Sequence, residues 1–150
     1  MVNIMGLMSF IKSKASNVAG EVKKVTNRDL MEAIVGGSML VAAADGSIDD
    51  DEIIALDGIL SSNPALADFG SEIGKEIKRC EDIIGAGFRI GKLKILREIA
   101  DIKNNPEHAE EVFVVMITIA EADGEVDDSE MAILREVGNV LGLKTSDYGL

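Results

Sequence analysis

The chain carries two copies of one short acidic sequence, and each copy follows a long uncharged stretch. The copies are Ala44–Glu52 and Ala122–Glu130, which share Ala, Asp, Gly, an aliphatic residue, Asp, Asp and Glu in register. No charged residue occurs from Ala33 to Ala44 or from Val112 to Ala120. Helices that are apolar on all sides lie in the core of a soluble protein. The sequence therefore predicts two units, each made of a buried helix, an acidic turn and an amphipathic helix.

The remaining apolar residues also recur at helical spacing, and no segment alternates as a strand does. Only 3% of the residues are aromatic and none is Trp, so the core must consist of Ile, Leu, Val, Met and Ala, a mixture rich in helix formers. We predict an all-α, single-domain bundle of about seven helices, built from two similar helix–acidic turn–helix halves. The predicted helices span residues 2–25, 26–44, 49–61, 65–82, 88–102, 106–122 and 127–141.

The first of these segments differs in charge from the rest of the chain. Residues 1–28 contain five Lys or Arg residues and one acid, Glu21, although the net charge of the whole chain is −12. We divide the chain into an amphipathic N-terminal arm, residues 1–25, and a helical domain, residues 26–150, which Thr26 begins as an N-cap. The apolar side of the arm has two interpretations: it packs on the domain, or residues 2–25 dock on anionic lipid or a membrane partner.

Charge and cysteine content exclude several classes of protein. The acidic balance argues against nucleic-acid binding, because phosphate contacts need clustered Lys and Arg. A single cysteine, Cys80, excludes an internal disulfide and is typical of a reducing compartment. No apolar stretch reaches the roughly 18 residues of a membrane-spanning helix, and the N-terminus lacks the features of a signal peptide. We therefore expect a cytoplasmic protein, with any contact to the inner face of the membrane peripheral and made by the arm.

Each acidic turn matches the second half of an EF-hand calcium loop, in which Asp and Glu supply oxygens and Gly permits the sharp turn. The first-half ligand positions hold Val41 and Ala43 in one copy and Ile119 and Glu121 in the other, so neither copy is a complete site. We therefore predict that the two turns share a divalent cation, Ca²⁺ or Mg²⁺, since every candidate ligand is a hard oxygen. The ligands that the pattern predicts are Asp45, Asp49, Glu52, Asp123, Asp127 and Glu130.

A second interpretation of the turns needs no metal. An Asp at the N-cap followed by Glu at N3 stabilises the start of a helix, and acids in a first turn suit the helix dipole. The chain would then be a metal-free helical scaffold. Capping does not account for Asp45 and Asp123, because each is predicted at a helix C-terminus, where the dipole disfavours negative charge.

A third interpretation is an enzyme with a carboxylate-only metal centre for hydrolysis or phosphoryl transfer. Against it, His108 is the only histidine, and no Lys or Arg lies in either turn to hold an anion. We predict that His108 is a surface residue and that Cys80 packs in the core. We therefore expect a protein without catalytic activity.

Further motifs occur in order along the chain: the two Asp-Gly-x-x-Asp-Asp-x-Glu turns, then Ile90–Lys92, Lys103–Glu107 and Tyr148–Leu150. Together they resemble the TerB family of tellurite-resistance proteins over essentially the whole chain. The resemblance implies a compact bundle of about seven helices in two similar halves, with acidic residues grouped on one surface. It also implies a cytoplasmic, non-catalytic role in tellurite resistance and a wider stress or phage-defence response. A TerC-like membrane protein and calcium-binding TerD-like proteins are the implied partners.

The acidic-turn residues of the family carry over to this chain. In the second copy, Ser129 stands where the first copy has an acid. The metal ligands that the resemblance implies are Asp45, Asp49, Asp50, Asp51, Glu52, Asp123, Asp127, Asp128 and Glu130.

Overall fold

The structure is a computed structural model that describes the backbone of residues 16–122 and 124–150, and the side chains within these ranges from Asn27 onward. Every regular element in these residues is helical, which confirms the all-α prediction. Six α-helices occur there, where about seven were predicted, with two short 3₁₀ helices, Pro64–Leu66 and Thr145–Tyr148. None of the described helices combines the length and the low polarity that crossing a bilayer requires. The α-helices are α1 Ser16–Ala42, α2 Asp50–Ser61, α3 Glu72–Gly85, α4 Phe88–Ala100, α5 Pro106–Ala120 and α6 Asp128–Leu141.

The observed helix α1 occupies the place of the predicted helix 26–44, but it begins earlier, at Ser16. α1 continues through Thr26, so the prediction that Thr26 begins a helix is wrong. A Thr followed by an acid begins a helix only where the residues before the Thr are not helical. The part of α1 that precedes Thr26 is helical and contains no proline that would break it. The predicted arm is described only in part. Residues 1–15 and the side chains of residues 16–26 lie outside the described residues, so both interpretations of its apolar side stay predictions.

α1 is the central element of the bundle, and each of the other five α-helices packs against it. Its uncharged part is buried as predicted, since every residue from Ala33 to Val41 is buried. Two glycines let neighbouring helices approach closely. A Cβ on Gly36 would lie 2.8 Å from Ile95 Cγ2 of α4, and a Cβ on Gly37 would lie 2.6 Å from Met116 Sδ of α5. These small residues therefore allow α4 and α5 to pack directly on the backbone of α1.

α5 is less buried than its sequence predicts. One side of the helix, including Phe113 and Met116, is buried, but Val114 is 49% exposed. Thr118, on the exposed side, donates its hydroxyl hydrogen to the carbonyl oxygen of Val114 at 2.9 Å. The prediction that α5 is buried on all sides is therefore wrong. The physical reason is its place in the bundle, where its main contacts are with α1 and α6.

Contacts along α1 fix the direction of α4. Ile95 of α4 packs on Gly36 of α1, and Glu98, one turn later in α4, lies near Glu32, one turn earlier in α1. The pKa of Glu32 is raised by burial and by the nearby carboxylates of Glu76 and Glu98. Because the later residue of one helix lies beside the earlier residue of the other, α4 runs antiparallel to α1.

α5 runs back in the direction of α1. It begins directly after the loop of residues 101–105, which follows the end of α4, and its Met116 reaches Gly37 of α1. Turn hydrogen bonds from Lys103 N–H to the carbonyl oxygen of Ala100 and from Asn105 N–H to that of Ile102 fold this loop tightly, so α5 starts near the level at which α4 ends. The C-terminal ends of α1 and α5, and the acidic turns that follow them, are therefore at the same end of the bundle.

Candidate cation-binding turns

The first acidic turn connects α1 to α2. Asp45 follows the end of α1, and its Oδ1 accepts a hydrogen bond from the backbone N–H of Ser47 at 3.2 Å. Gly46 has a φ of +101°, a conformation that favours glycine, so the predicted role of this glycine is confirmed. Asp49 is the N-cap of α2, and its Oδ1 accepts from the backbone N–H of Glu52 at 2.8 Å.

The second acidic turn connects α5 to α6 in the same way. Gly124 has a φ of +122°, and its N–H donates to the carbonyl oxygen of Glu121 at 3.0 Å. Asp127 is the N-cap of α6, and its Oδ1 accepts from the backbone N–H of Glu130 at 2.8 Å. The backbone N–H of Asp127 in turn donates to Glu130 Oε1 at 3.0 Å, which completes a capping box. The predicted ligand Asp123 lies outside the described residues.

Helix capping by Asp49 and Asp127 is thus confirmed, but the two caps differ. The second turn forms a complete capping box, whereas in the first turn Asp49 accepts from the backbone N–H of Glu52 and the Glu52 side chain lies close to Asp49 without completing a box. The pKa of Glu52 is raised by desolvation, by the neighbouring carboxylate of Asp49 and by that of Asp45. Desolvation is the largest cause of the raised pKa, and the negative charges of Asp49 and Asp45 add to it. The first turn is therefore a place where like charges repel one another.

The remaining predicted ligands lie in the first turns of the two helices. Asp50 and Asp51 begin α2, and Asp128 begins α6; all three side chains are exposed. Acids at these positions interact favourably with the positive end of the helix dipole. Their positions are therefore explained by the helix alone, whether or not they contact a cation.

The described residues do not contain a preformed metal site. Within residues 27–122 and 124–150, no three Asp, Glu, His or Cys side chains form a group that could hold a metal ion. This set leaves out Asp123, which the pattern places in the second half-site. The separation of the two turns and their metal ligands therefore stay predictions.

An open acidic groove lies on α5 and was not predicted from the sequence. The groove has a volume of about 420 Å³, and its lining residues are Glu107, Glu110, Glu111, Val114 and Val115. These residues follow helical spacing, so the pattern was present in the sequence. It was missed because the uncharged stretch after Glu111 was interpreted as wholly buried.

An ion-pair cluster that was not predicted from the sequence joins α3 to α4. Glu76 is 7% exposed, and Arg79 Nε donates to its Oε1 at 3.0 Å. The guanidinium of Arg79 also pairs with Glu98 of α4. The pairing of Glu76 with Arg79 offsets the cost of burying the carboxylate.

The single cysteine is buried and the single histidine is half-buried. Cys80 is buried, as predicted, and burial raises the pKa of its thiol to about 12, with the charge of Glu76 adding to the effect. A thiol with such a pKa is a poor nucleophile at neutral pH. His108 is half-buried rather than a surface residue, and burial lowers its pKa. Its backbone N–H donates to Oδ1 of Asn105, the N-cap of α5, at 3.2 Å.

A comparison with protein families matches the chain to one of them. The family model described as tellurite resistance protein TerB matches residues 31–150, which is most of the chain and includes both acidic turns. Neither a curated protein nor a solved structure matches the chain.

Proposed function

The chain belongs to the TerB family of tellurite resistance proteins, and on this premise we propose that it is a non-enzymatic module of tellurite resistance and stress response that binds a divalent cation at its two acidic turns. The cation is Ca²⁺ or Mg²⁺, because carboxylate and carbonyl oxygens are the ligands that these hard ions prefer.

The observation that carries the proposal is the repulsion within the first turn. The carboxylates of Asp45 and Asp49 raise the pKa of Glu52 beyond the effect of desolvation, although Glu52 itself is exposed. A cation placed among these three groups would replace repulsion by attraction. Capping alone needs only Asp49 and Glu52. Asp45 accepts a hydrogen bond from the backbone N–H of Ser47, but an uncharged Asn would accept the same bond, so the turn does not require the negative charge of Asp45.

We further propose that the two turns contribute to one shared site and that the helix–turn–helix units are equivalent halves. Calcium takes six to eight oxygens, which is more than one turn supplies. The position of both turns at the same end of the bundle supports sharing. The proposed direct ligands are Asp45, Asp49, Glu52, Asp123, Asp127 and Glu130, while Asp50, Asp51 and Asp128 add negative charge around them.

Capping and cation binding are compatible. A carboxylate has about four acceptor positions, so Asp49 can keep its bond to the backbone N–H of Glu52 while its other oxygen binds a cation. The same holds for Asp127 and the backbone N–H of Glu130. Helix capping would then orient one ligand from each turn.

The test is thermal unfolding of EDTA-treated protein with and without added Ca²⁺ or Mg²⁺. A cation that binds only the folded state raises Tm, by an amount set by its concentration relative to Kd. The variant with Asp45→Asn and Asp123→Asn should lose this rise. It should also be at least as stable as the parent without metal, because repulsion in the turns is reduced.

The matched control is Asp68→Asn with Asp101→Asn, which removes the same charge from exposed positions outside the turns. This control should keep the rise in Tm. If Ca²⁺ and Mg²⁺ at about 1 mM leave Tm unchanged in the parent protein, the capping interpretation alone stands.

We propose that the module acts with a TerC-like membrane protein and TerD-like proteins, in the cytoplasm or peripherally at the inner face of the membrane. The support for this proposal is the family and the basic, amphipathic pattern of residues 2–25. Deletion of residues 1–25 tests the arm. Lost binding to anionic vesicles or to the partner with unchanged Tm supports docking, whereas a large fall in Tm supports packing on the bundle.

A further inference from the structure

Two helix faces carry most of the large aliphatic side chains that the described residues expose. On α2, Ile54 is 69% exposed. On α4, Ile90 is 64% exposed and Leu93 is 50% exposed. Exposed aliphatic side chains of this size in neighbouring positions mark interaction surfaces more often than isolated ones do.

The two faces have opposite charge. The basic face of α4 consists of Arg89, Ile90, Leu93, Lys94 and Arg97, all exposed. Residues at this spacing lie on one side of a helix. Within the described residues, none of its three cations takes part in an ion pair. This face is therefore a local concentration of positive charge on a chain with a net charge of −12.

The acidic face of α2 repeats the same spacing. It consists of Asp50, Asp51, Ile54, Ala55 and Gly58, all exposed. A Cβ on Gly58 would meet nothing within 4 Å, so this face is open to an approaching partner. Within the described residues, neither Asp50 nor Asp51 is ion-paired. The two faces thus combine exposed apolar groups with complementary charges.

We propose that the protein associates with itself, with the acidic face of α2 from one copy docked on the basic face of α4 from a second copy. Charge complementarity orients the pair, and contact between the Ile and Leu side chains buries apolar surface. Because the two faces differ, the contact joins unlike surfaces. It closes into a dimer if each copy uses both faces on one partner, and otherwise it extends into chains. A contact through two helix faces is small, so association is weak and depends on concentration.

A second copy fits these observations better than a lipid surface. Anionic lipid would attract the basic face, but it would leave the aliphatic residues of α2 exposed and would repel Asp50 and Asp51 beside them. A second copy covers both faces at once. The contact does not involve a bound cation, so it is tested in EDTA, separately from the proposed metal site.

The test measures mass by sedimentation over a range of protein concentrations in EDTA. Two reversed variants are used: Arg89→Glu with Lys94→Glu and Arg97→Glu, and Asp50→Lys with Asp51→Lys. In each reversed variant alone, the faces of α2 and α4 carry the same charge, so the variant should remain monomeric. An equal mixture of the two variants should form heterodimers, because the Glu-substituted face of α4 in one variant then meets the Lys-substituted face of α2 in the other. The parent protein should associate, and less so when salt rises from about 0.1 M to about 1 M, where the Debye length falls from about 10 Å to about 3 Å.

The matched control for the basic face is Lys75→Glu with Lys103→Glu and Lys144→Glu, which changes three exposed cations elsewhere on the described surface. This variant should associate as the parent does. Circular dichroism and Tm establish that every variant is folded, since all substitutions are at exposed positions.

Three results would overturn the proposal. The first is a parent protein that stays monomeric up to about 1 mM in low salt, including one that does so while binding anionic vesicles. The second is a mixture of reversed variants that does not associate. The third is loss of association when residues 1–15 are deleted and both faces are intact, because the arm would then be the segment that makes the contact.

Discussion

At the scale of single residues, Arg79 is the side chain whose removal we expect to lower stability most clearly. It neutralises Glu76, which is 7% exposed, and joins it to Glu98. Arg79→Met should lower the free energy of unfolding by about 3 kcal/mol, because it leaves a buried carboxylate without its partner. Adding Glu76→Gln should recover most of that loss, since the uncompensated charge is then gone. Urea unfolding measures the free energy of unfolding of both variants.

The control for this prediction is Lys78→Met, which removes an exposed cation from its pairs with Glu81 and Asp82. Exposed pairs contribute little, so stability should barely change. Equal losses for Lys78→Met and Arg79→Met would show that burial of Glu76 does not govern the effect.

Glu32 should make stability depend on pH. Its pKa in the folded state is raised above 4.5 by burial and by Glu76 and Glu98, so the folded state holds this proton more tightly than the unfolded state does. The contribution of this group is therefore greatest below its unfolded pKa and is lost as pH rises through the raised pKa. Glu32→Gln should stabilise the protein near pH 7 and change little near pH 4. Urea unfolding at the two pH values tests this, with the exposed Asp68→Asn as a control; a larger gain near pH 4 would contradict it.

At the scale of the elements, the contact of α3 with α4 depends on Gly91. A Cβ at this position would lie 2.9 Å from the carbonyl oxygen of Ile83 and 3.0 Å from Cα of Ile84. Backbone atoms cannot move aside as a flexible side chain can, so Gly91→Ala should destabilise the fold by about 1–3 kcal/mol. Gly58→Ala, in open space on α2, should instead stabilise it by up to about 1 kcal/mol through helix propensity. Denaturant unfolding gives both values, and a stabilising Gly91→Ala would contradict this packing.

The two helix caps should also differ in strength. Asp127→Ala removes a complete capping box and should cost about 1 kcal/mol. Asp49→Ala removes one cap bond and also relieves the repulsion between Asp49 and Glu52, so it should cost less in EDTA. Thermal unfolding of the two variants compares them, and a larger loss for Asp49→Ala would show that repulsion in the first turn is negligible.

Elements that depend on local chemistry were predictable from sequence. The N-caps Asp49 and Asp127, the start of α5 at Pro106 and the end of α6 at Gly142 are all as expected, because each is set by a few neighbouring residues. The predicted break at Thr26 was wrong, because a local cap pattern cannot tell whether the preceding residues stay helical.

Features that depend on packing were not predictable. Val114 belongs to an uncharged stretch, yet it is exposed because few elements cover that side of α5. Arg79 pairs with Glu98 across two helices, and no spacing along the chain indicates such a contact. The acidic turns were recognised from the sequence, but the absence of a preformed ligand group among the described residues could be learned only from side-chain positions.

At the scale of the whole molecule, the packing of α1 and α5 links the two halves of the chain. Both helices lead into an acidic turn, and their shared direction puts both turns at one end of the bundle. This arrangement is compatible with one cation site shared by the two turns, which stays a prediction. In a shared site, loss of either turn removes half of the proposed ligands and leaves fewer oxygens than calcium prefers.

Calorimetric titration of EDTA-treated protein with Ca²⁺, with Mg²⁺, Mn²⁺ and Zn²⁺ in parallel, tests this claim most directly. We expect saturable Ca²⁺ or Mg²⁺ binding at one site per chain, weakened at least tenfold by Asp45→Asn alone and equally by Asp123→Asn alone, a loss of about 1.4 kcal/mol or more. The Asp68→Asn variant should bind as the parent does. Absence of binding heat for every ion, or unchanged affinity in either single turn variant, would contradict a cation site shared by the two turns.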